Sequence, residues 1–232
     1  MCEPAILSLW PGGHVKFSIL VGAVAGVAIC ATAATAQVCQ GDLPYRARST
    51  THVGGTIGMT DHTSSFAGGL SVGHAKGWFG GASAGMLSYE NGGGHSAVIG
   101  GGLGYSMPLQ QRSKWQVCPG ATLALGFGPS IDTGAGTEKI SSQILTLGAS
   151  FGTSMSLSKS TNLLPFFSAA LGHTRVAFAG ATASDNYLLL GGGAGFQLTP
   201  SLVLRPAFSI ATGSESPDDT AFSFGVTWAL PR

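Results

Sequence analysis

Residues 222–230 read Phe222-Ser223-Phe224-Gly225-Val226-Thr227-Trp228-Ala229-Leu230. Every second residue is large and apolar, and those between are small. A period of two marks a β-strand, because successive side chains leave opposite faces. The faces are the wrong way round for a sheet in water. A soluble strand hides its apolar face and turns charge to the solvent; this one has a greasy face and a small, uncharged one. That pattern makes physical sense where lipid bathes the greasy face and the small face lines an enclosed interior.

The pattern recurs upstream. Leu145, Leu147, Ala149 and Phe151 alternate with Thr146, Gly148, Ser150 and Gly152. Trp115, Val117, Leu123, Leu125 and Phe127 interleave with Gln116, Cys118, Gly120, Thr122 and Gly126, and Phe66, Leu70 and Val72 with Gly69, Ser71 and Gly73. No long segment repeats with helical period. Charged residues make up 9% of the 232-residue chain, against about 25% in an ordinary soluble domain. A glycine-rich soluble β-protein is the alternative, and so few charges argue against it. The 44% apolar content argues against disorder, and a net charge of +1 gives no footing for nucleic acid.

Lipid offers the backbone no hydrogen-bond partners, so a sheet within it must close on itself. The expected fold is all-β: an antiparallel transmembrane β-barrel of about ten strands, near 51–59, 65–74, 77–88, 96–107, 115–127, 141–157, 163–178, 187–198, 201–211 and 220–230. Eight is the count if the weak first pair is misread. The connections alternate. One set is tight: His74 to Lys76, Leu109 to Lys114, Ser158 to Asn162, Thr199 to Ser201. The other is looser: Thr60 to Ser64, Glu90 to Gly94, Pro129 to Lys139, Gly180 to Asn186, Gly213 to Asp219. Short turns face the periplasm in such barrels and longer loops face outward. The acids Asp61, Glu90, Asp132, Glu138, Asp185, Glu215, Asp218 and Asp219 all fall in the looser set. Lys76, Arg112, Lys114 and Lys159 fall in the tight set, and Lys139 is the exception. Only Arg175 and Arg205 lie within strands. Arg205 has lumen parity; the facing of Arg175 is open.

Phe17 to Ala36 is an apolar run preceded by Lys16 and closed by Ala34-Thr35-Ala36, the small-x-small form of a signal-peptide cleavage site. The expectation is a cleaved signal peptide over 1–36, with Val15 as an alternative true start. A polar periplasmic lead follows over 37–50, then the barrel over 51–232. Cleavage leaves two cysteines. In an oxidising compartment two thiols pair by default, which predicts a Cys39–Cys118 disulfide. Cys118 has lumen parity near the periplasmic end of its strand, so the bond would hold the lead at the lumen mouth as a plug.

The segments Gly101-Gly102-Leu103-Gly104-Tyr105-Ser106-Met107-Pro108 and Gly192-Gly193-Ala194-Gly195-Phe196-Gln197-Leu198-Thr199-Pro200, with Phe222 to Trp228, resemble the small outer-membrane β-barrel proteins of diderm bacteria. The resemblance covers about residues 51 to 232. It implies outer-membrane lipids and the outer-membrane insertion machinery as partners. That machinery reads a terminal aromatic residue; this chain departs from the pattern, ending Trp228-Ala229-Leu230-Pro231-Arg232, with Trp228 the residue that would substitute. Members act as narrow pores, adhesins, tethers or, less often, lipid-modifying enzymes, so the fold does not choose a function.

Catalytic signals are thin. Three G-x-S-x-G stretches, centred on Ser71, Ser83 and Ser150, match a hydrolase nucleophile elbow by residue type. An elbow needs a sharp strand-to-helix turn, and none follows. In a strand the pattern simply places Gly, Ser and Gly on one face. Ser71 and Ser150 then line the lumen; Ser83 is ambiguous, because Phe79 and Leu87 share its parity. His95-Ser96 with Glu90 is the other candidate, but adjacent strand residues point apart. Cysteine and histidine spacing predicts no metal site or cofactor. Glu215, Asp218 and Asp219 lack the glycine-anchored loop of a calcium site, which leaves divalent cations as candidate partners of acidic loop tips. Lumen candidates are Arg205, Gln116, Gln197, Ser71 and Ser150. The expected role is a non-enzymatic barrel, structural or a narrow passive channel. Surface adhesion and, behind it, lipid hydrolysis are the alternatives. Solute, partner and oligomeric state are not encoded in any motif.

Overall fold

The computed structural model describes residues 38–44, 50–74, 76–89, 94–110, 114–132, 137–213 and 219–230. Among them lie a short 3-10 turn, Val38–Gln40, and ten long strands: β1 (Thr50–Met59), β2 (Thr63–Gly73), β3 (Trp78–Tyr89), β4 (His95–Tyr105), β6 (Gln116–Asp132), β7 (Thr137–Gly152), β9 (Asn162–Phe178), β10 (Ala181–Thr199), β11 (Leu202–Gly213) and β12 (Asp219–Ala229). Two-residue strands β5 (Met107–Pro108) and β8 (Met155–Ser156) finish the hairpins into β6 and β9.

Each long strand pairs antiparallel with its sequence neighbours, and β1 pairs with both β2 and β12. The ring is therefore closed. The first pair is fully formed, from Thr50↔Gly73 to Met59↔Ser64, so the barrel has ten strands and not eight. Closure satisfies both edges of the sheet, which hydrocarbon requires.

The greasy parity faces out. Phe66, Leu70, Leu147, Phe222 and Trp228 are all more than half exposed, and Leu145, Phe224 and Val226 lie on the same surface. A contiguous apolar surface of this extent is untenable in water and is the normal outer face of a barrel in lipid. Trp78, Trp115 and Trp228 stand exposed at the short-turn end, where Trp78 packs edge-on against Tyr105 at 4.9 Å between ring centres. Amphipathic rings collect at such a boundary because it is apolar on one side and wet on the other.

Two expected loops are strand instead. Of the expected loop Gly180 to Asn186, all but Gly180 belongs to β10, and the β9–β10 connection is only Ala179-Gly180. Both have positive φ, 49° and 76°, the two-residue turn whose twist matches the strands it joins. Likewise β6 runs to Asp132 and β7 begins at Thr137, past a register shift between Phe127 and Ser130. Polarity misled the sequence reading: a strand that leaves the lipid turns polar on both faces but keeps pairing. β4 stops pairing with β6 at Ala97↔Phe127 and β11 stops with β10 at Tyr187↔Gly213, while β6, β7, β9 and β10 go on. The result is a four-stranded extension beyond one end of the ring.

Candidate functional site: the plugged end of the barrel

Residues 38–44 sit inside the barrel at the short-turn end. The segment can enter because glycines of the strands stand where its backbone comes closest. A Cβ on Gly152 would strike the Val38 carbonyl and Cys39, and one on Gly195 would strike the Gly41 carbonyl. Gly41 itself has φ +70°, with the Phe166 ring where its Cβ would be, so the tight bend there favours glycine. The Gly41 amide donates to the Val38 carbonyl at 3.1 Å.

Three attachments hold the plug. The first is covalent: Cys39 is bonded to Cys118 on β6 across 79 residues of sequence, and both are buried beside Phe79. The second is apolar: Val38 and Leu43 pack against Leu164 of β9 and Val203 of β11. Fully burying two such side chains contributes about 3–6 kcal/mol. The third is electrostatic. Arg205 Nη1 lies 3.5 Å from Asp42 Oδ2 and donates to the Gln40 carbonyl at 3.2 Å. Thr227 Oγ1 donates to Asp42 Oδ2 at 2.8 Å, and the Leu43 amide to Asp42 Oδ1 at 2.9 Å. Burial pushes the Asp42 carboxyl above its ordinary value, and Arg205, the Leu43 amide and Thr227 oppose the shift. Desolvating two charges is costly, and the hydrogen bonds around the pair offset that cost.

The interior is also filled toward the other end. Leu87, Val98, Ala124, Ile144 and Tyr187 form a buried cluster, with Tyr89, Leu189 and Ala211 against it. The inward positions are still mostly Gly, Ala, Ser and Thr, with Thr56, Ser65, Ala67, Ser71, Thr146 and Ala221 buried among them, and a few long side chains are added to that lining. Small residues on some strands leave room that long side chains from others cross and fill; Tyr187 lies where a Cβ on Gly172 would be. Between the two plugs Thr122 and Thr146 hydroxyls bond at 2.8 Å.

No family matches the sequence, and no curated protein does. Solved structures do match. The β domain of the Bordetella autotransporter BrkA aligns over 79% of this chain and all of its own, at 13% identity and a TM-score of 0.50. The chain shares the fold of an outer-membrane β-barrel. Ail, the attachment invasion locus protein of Yersinia pestis, aligns over 78% of this chain and 97% of its own at 12% identity and TM-score 0.39. The porin KdgM aligns over 78% and 99% at 10% identity and TM-score 0.40. At these identities the likeness is one of fold. The closed ring and its apolar outer face suit a barrel whose outer surface meets lipid.

Within the barrel, Ser71 and Ser150 are buried on the interior face, and Ser83 shares that face with Phe79 and Leu87. Gln116 is on the face of Cys118 and accepts from the Ser106 hydroxyl at 3.2 Å. Gln197 accepts from Asn162 at 2.9 Å. His95 and Ser96 part company: His95 Nδ1 meets Ser88 Oγ at 2.9 Å outside, and Ser96 Oγ meets Tyr89 Oη at 3.0 Å inside. No hydrolytic arrangement joins them, and Glu90 lies outside the described residues. Of the acids, Asp61 and Glu138 are exposed and Asp185 half-buried; the side chains of Asp132 and Asp219, and Glu215 and Asp218 altogether, lie outside the described residues. Among the described residues no three His, Cys, Asp or Glu side chains gather as metal ligands.

Sequence reading missed Asp42. It sits 163 residues from Arg205, and nothing local announces the pairing. A usable signal existed: one acid in a short lead and one arginine of lumen parity, each costly to leave alone. His52, for which the sequence offers no signal, is buried, cross-strand from Ser71.

Proposed function

We propose that this chain is a non-enzymatic, structural barrel of the outer membrane, held shut by its own N-terminal segment. The plugged end, with its short turns and Lys76, Lys114 and Lys159, faces the periplasm. The end with the four-stranded extension and the acidic connections faces outward. An N-terminus arriving from the periplasm after export and an even number of passes support this orientation. The observation that carries the reading is the double filling of the interior: plug at one end, the Leu87–Ile144–Tyr187 cluster at the other. A passive channel would require both to give way.

Planar-bilayer recording of the refolded, oxidised protein tests it. The expected record is silent, and it stays silent when the disulfide is reduced, because the apolar cluster still fills the outer half. Steady single-channel steps from the oxidised protein would overturn the closed reading in favour of a narrow passive pore. The extension supports a second reading, a surface that binds a partner. Loss of cell binding on trimming the β9–β10 hairpin back to Tyr187, with the barrel intact, would favour it.

A further inference from the structure

Arg175 is the anomaly of the outer surface. It is exposed on β9, on the face that carries Phe167 and Leu171 into the lipid. The apolar run on that face, Leu163 to Leu171, spans roughly 20 Å of height for a strand tilted about 40°, so Arg175 stands just past its end. Across the register Arg175 faces Gln143 of β7, which in turn faces Leu125 of β6. These residues, with Phe127, Ser141 and Ala177, line an open groove of about 290 Å³ on the outside of the barrel. One wall is apolar, from Leu125 and Phe127. The other offers a guanidinium, an amide and a hydroxyl. Lys139 is exposed further along the same face of β7. The inward parity of Asp185 keeps its carboxylate off this face, and among the described residues no ion pair neutralises Arg175.

We propose that this groove binds the phosphorylated headgroup of an anionic outer-leaflet glycolipid of the lipid A type, with an acyl chain along Leu125 and Phe127 and a phosphate on Arg175, assisted by Gln143, Ser141 and Lys139. Guanidinium holds phosphate through paired hydrogen bonds, and a cation at the edge of an apolar belt meets the headgroup layer without leaving its stem unburied. The commitment to a lipid, and not to a soluble anion, comes from the apolar wall beside the cation. It rests on the orientation proposed above, which puts this end in the outer leaflet.

The test uses the refolded full chain in detergent, with bound lipid counted by native mass spectrometry against bisphosphorylated lipid A and its dephosphorylated form. The phosphorylated lipid is expected to bind in preference. Arg175→Gln should weaken it about fivefold and adding Lys139→Gln by a similar further factor; Arg175→Lys should retain most of it, and Lys159→Gln at the opposite end should change nothing. Equal binding of the two lipids, or an unaffected Arg175→Gln variant, would overturn the proposal. So would displacement of the lipid by inorganic phosphate at matched concentration, or binding of phosphatidylglycerol as tight as that of lipid A. Conductance stays silent in every arm, so failure here is separable from failure of the closed-barrel reading.

Discussion

Of the plug's three attachments, the disulfide and the ion pair should back each other up, so that neither is decisive while the other remains. The perturbations are Cys39→Ser/Cys118→Ser, Arg205→Gln, and the two combined. Removing one partner of a buried ion pair costs about 3–5 kcal/mol. Here Arg205 also holds the Gln40 carbonyl, so the loss belongs in the upper part of that range. It is comparable with what burial of Val38 and Leu43 contributes, roughly 3–6 kcal/mol. Without the disulfide, the plug is still tethered to β1 at Thr50 through a few residues, and its redocking remains intramolecular at a high effective concentration. Hydrogen exchange of the Gly41 and Leu43 amides reads the docked population directly. Serine substitution alone should leave most of their protection. Arg205→Gln alone should also leave it, because the disulfide prevents departure. The combined variant should lose about a hundredfold or more in protection, since 1.4 kcal/mol is a factor of ten. Full protection in the combined variant would show that the ion pair is not an anchor. Complete loss in the serine variant alone would show that the disulfide is the sole one.

Two further outcomes follow from the same geometry. Leu147→Arg, in the middle of the outer face, should destabilise the barrel in lipid by about 2–4 kcal/mol, measured by urea unfolding in vesicles; a neutral result would contradict lipid contact there. The folded carboxyl of Asp42 is raised above its value of 3.8, so the docked plug holds its proton more tightly than the released one. Docking of the Cys39→Ser/Cys118→Ser protein should therefore tighten as pH falls toward 3.8 and weaken as pH rises through the raised value. Exchange corrected for intrinsic rates tests this, and Asp42→Asn should flatten the dependence.

The sequence by itself determined the strands and the medium around them. Phe222 to Leu230 alternates strictly because a strand between lipid and lumen has two different solvents, and that difference is written residue by residue. It also supplied the inward parity of Arg205 and, through the two cysteines that follow the expected signal peptide, the Cys39–Cys118 bond found in the structure. What only the tertiary structure decided depends on partners far apart in sequence. Asp42 meets Arg205 across most of the chain; Leu87, Ile144 and Tyr187 meet across the interior; the Ala181 to Asn186 stretch extends as strand because β9 is beside it. Local pattern reports which medium each face meets. It carries no record of which distant side chain fills the space opposite, because that depends on barrel closure and register, which exist only once all ten strands have paired.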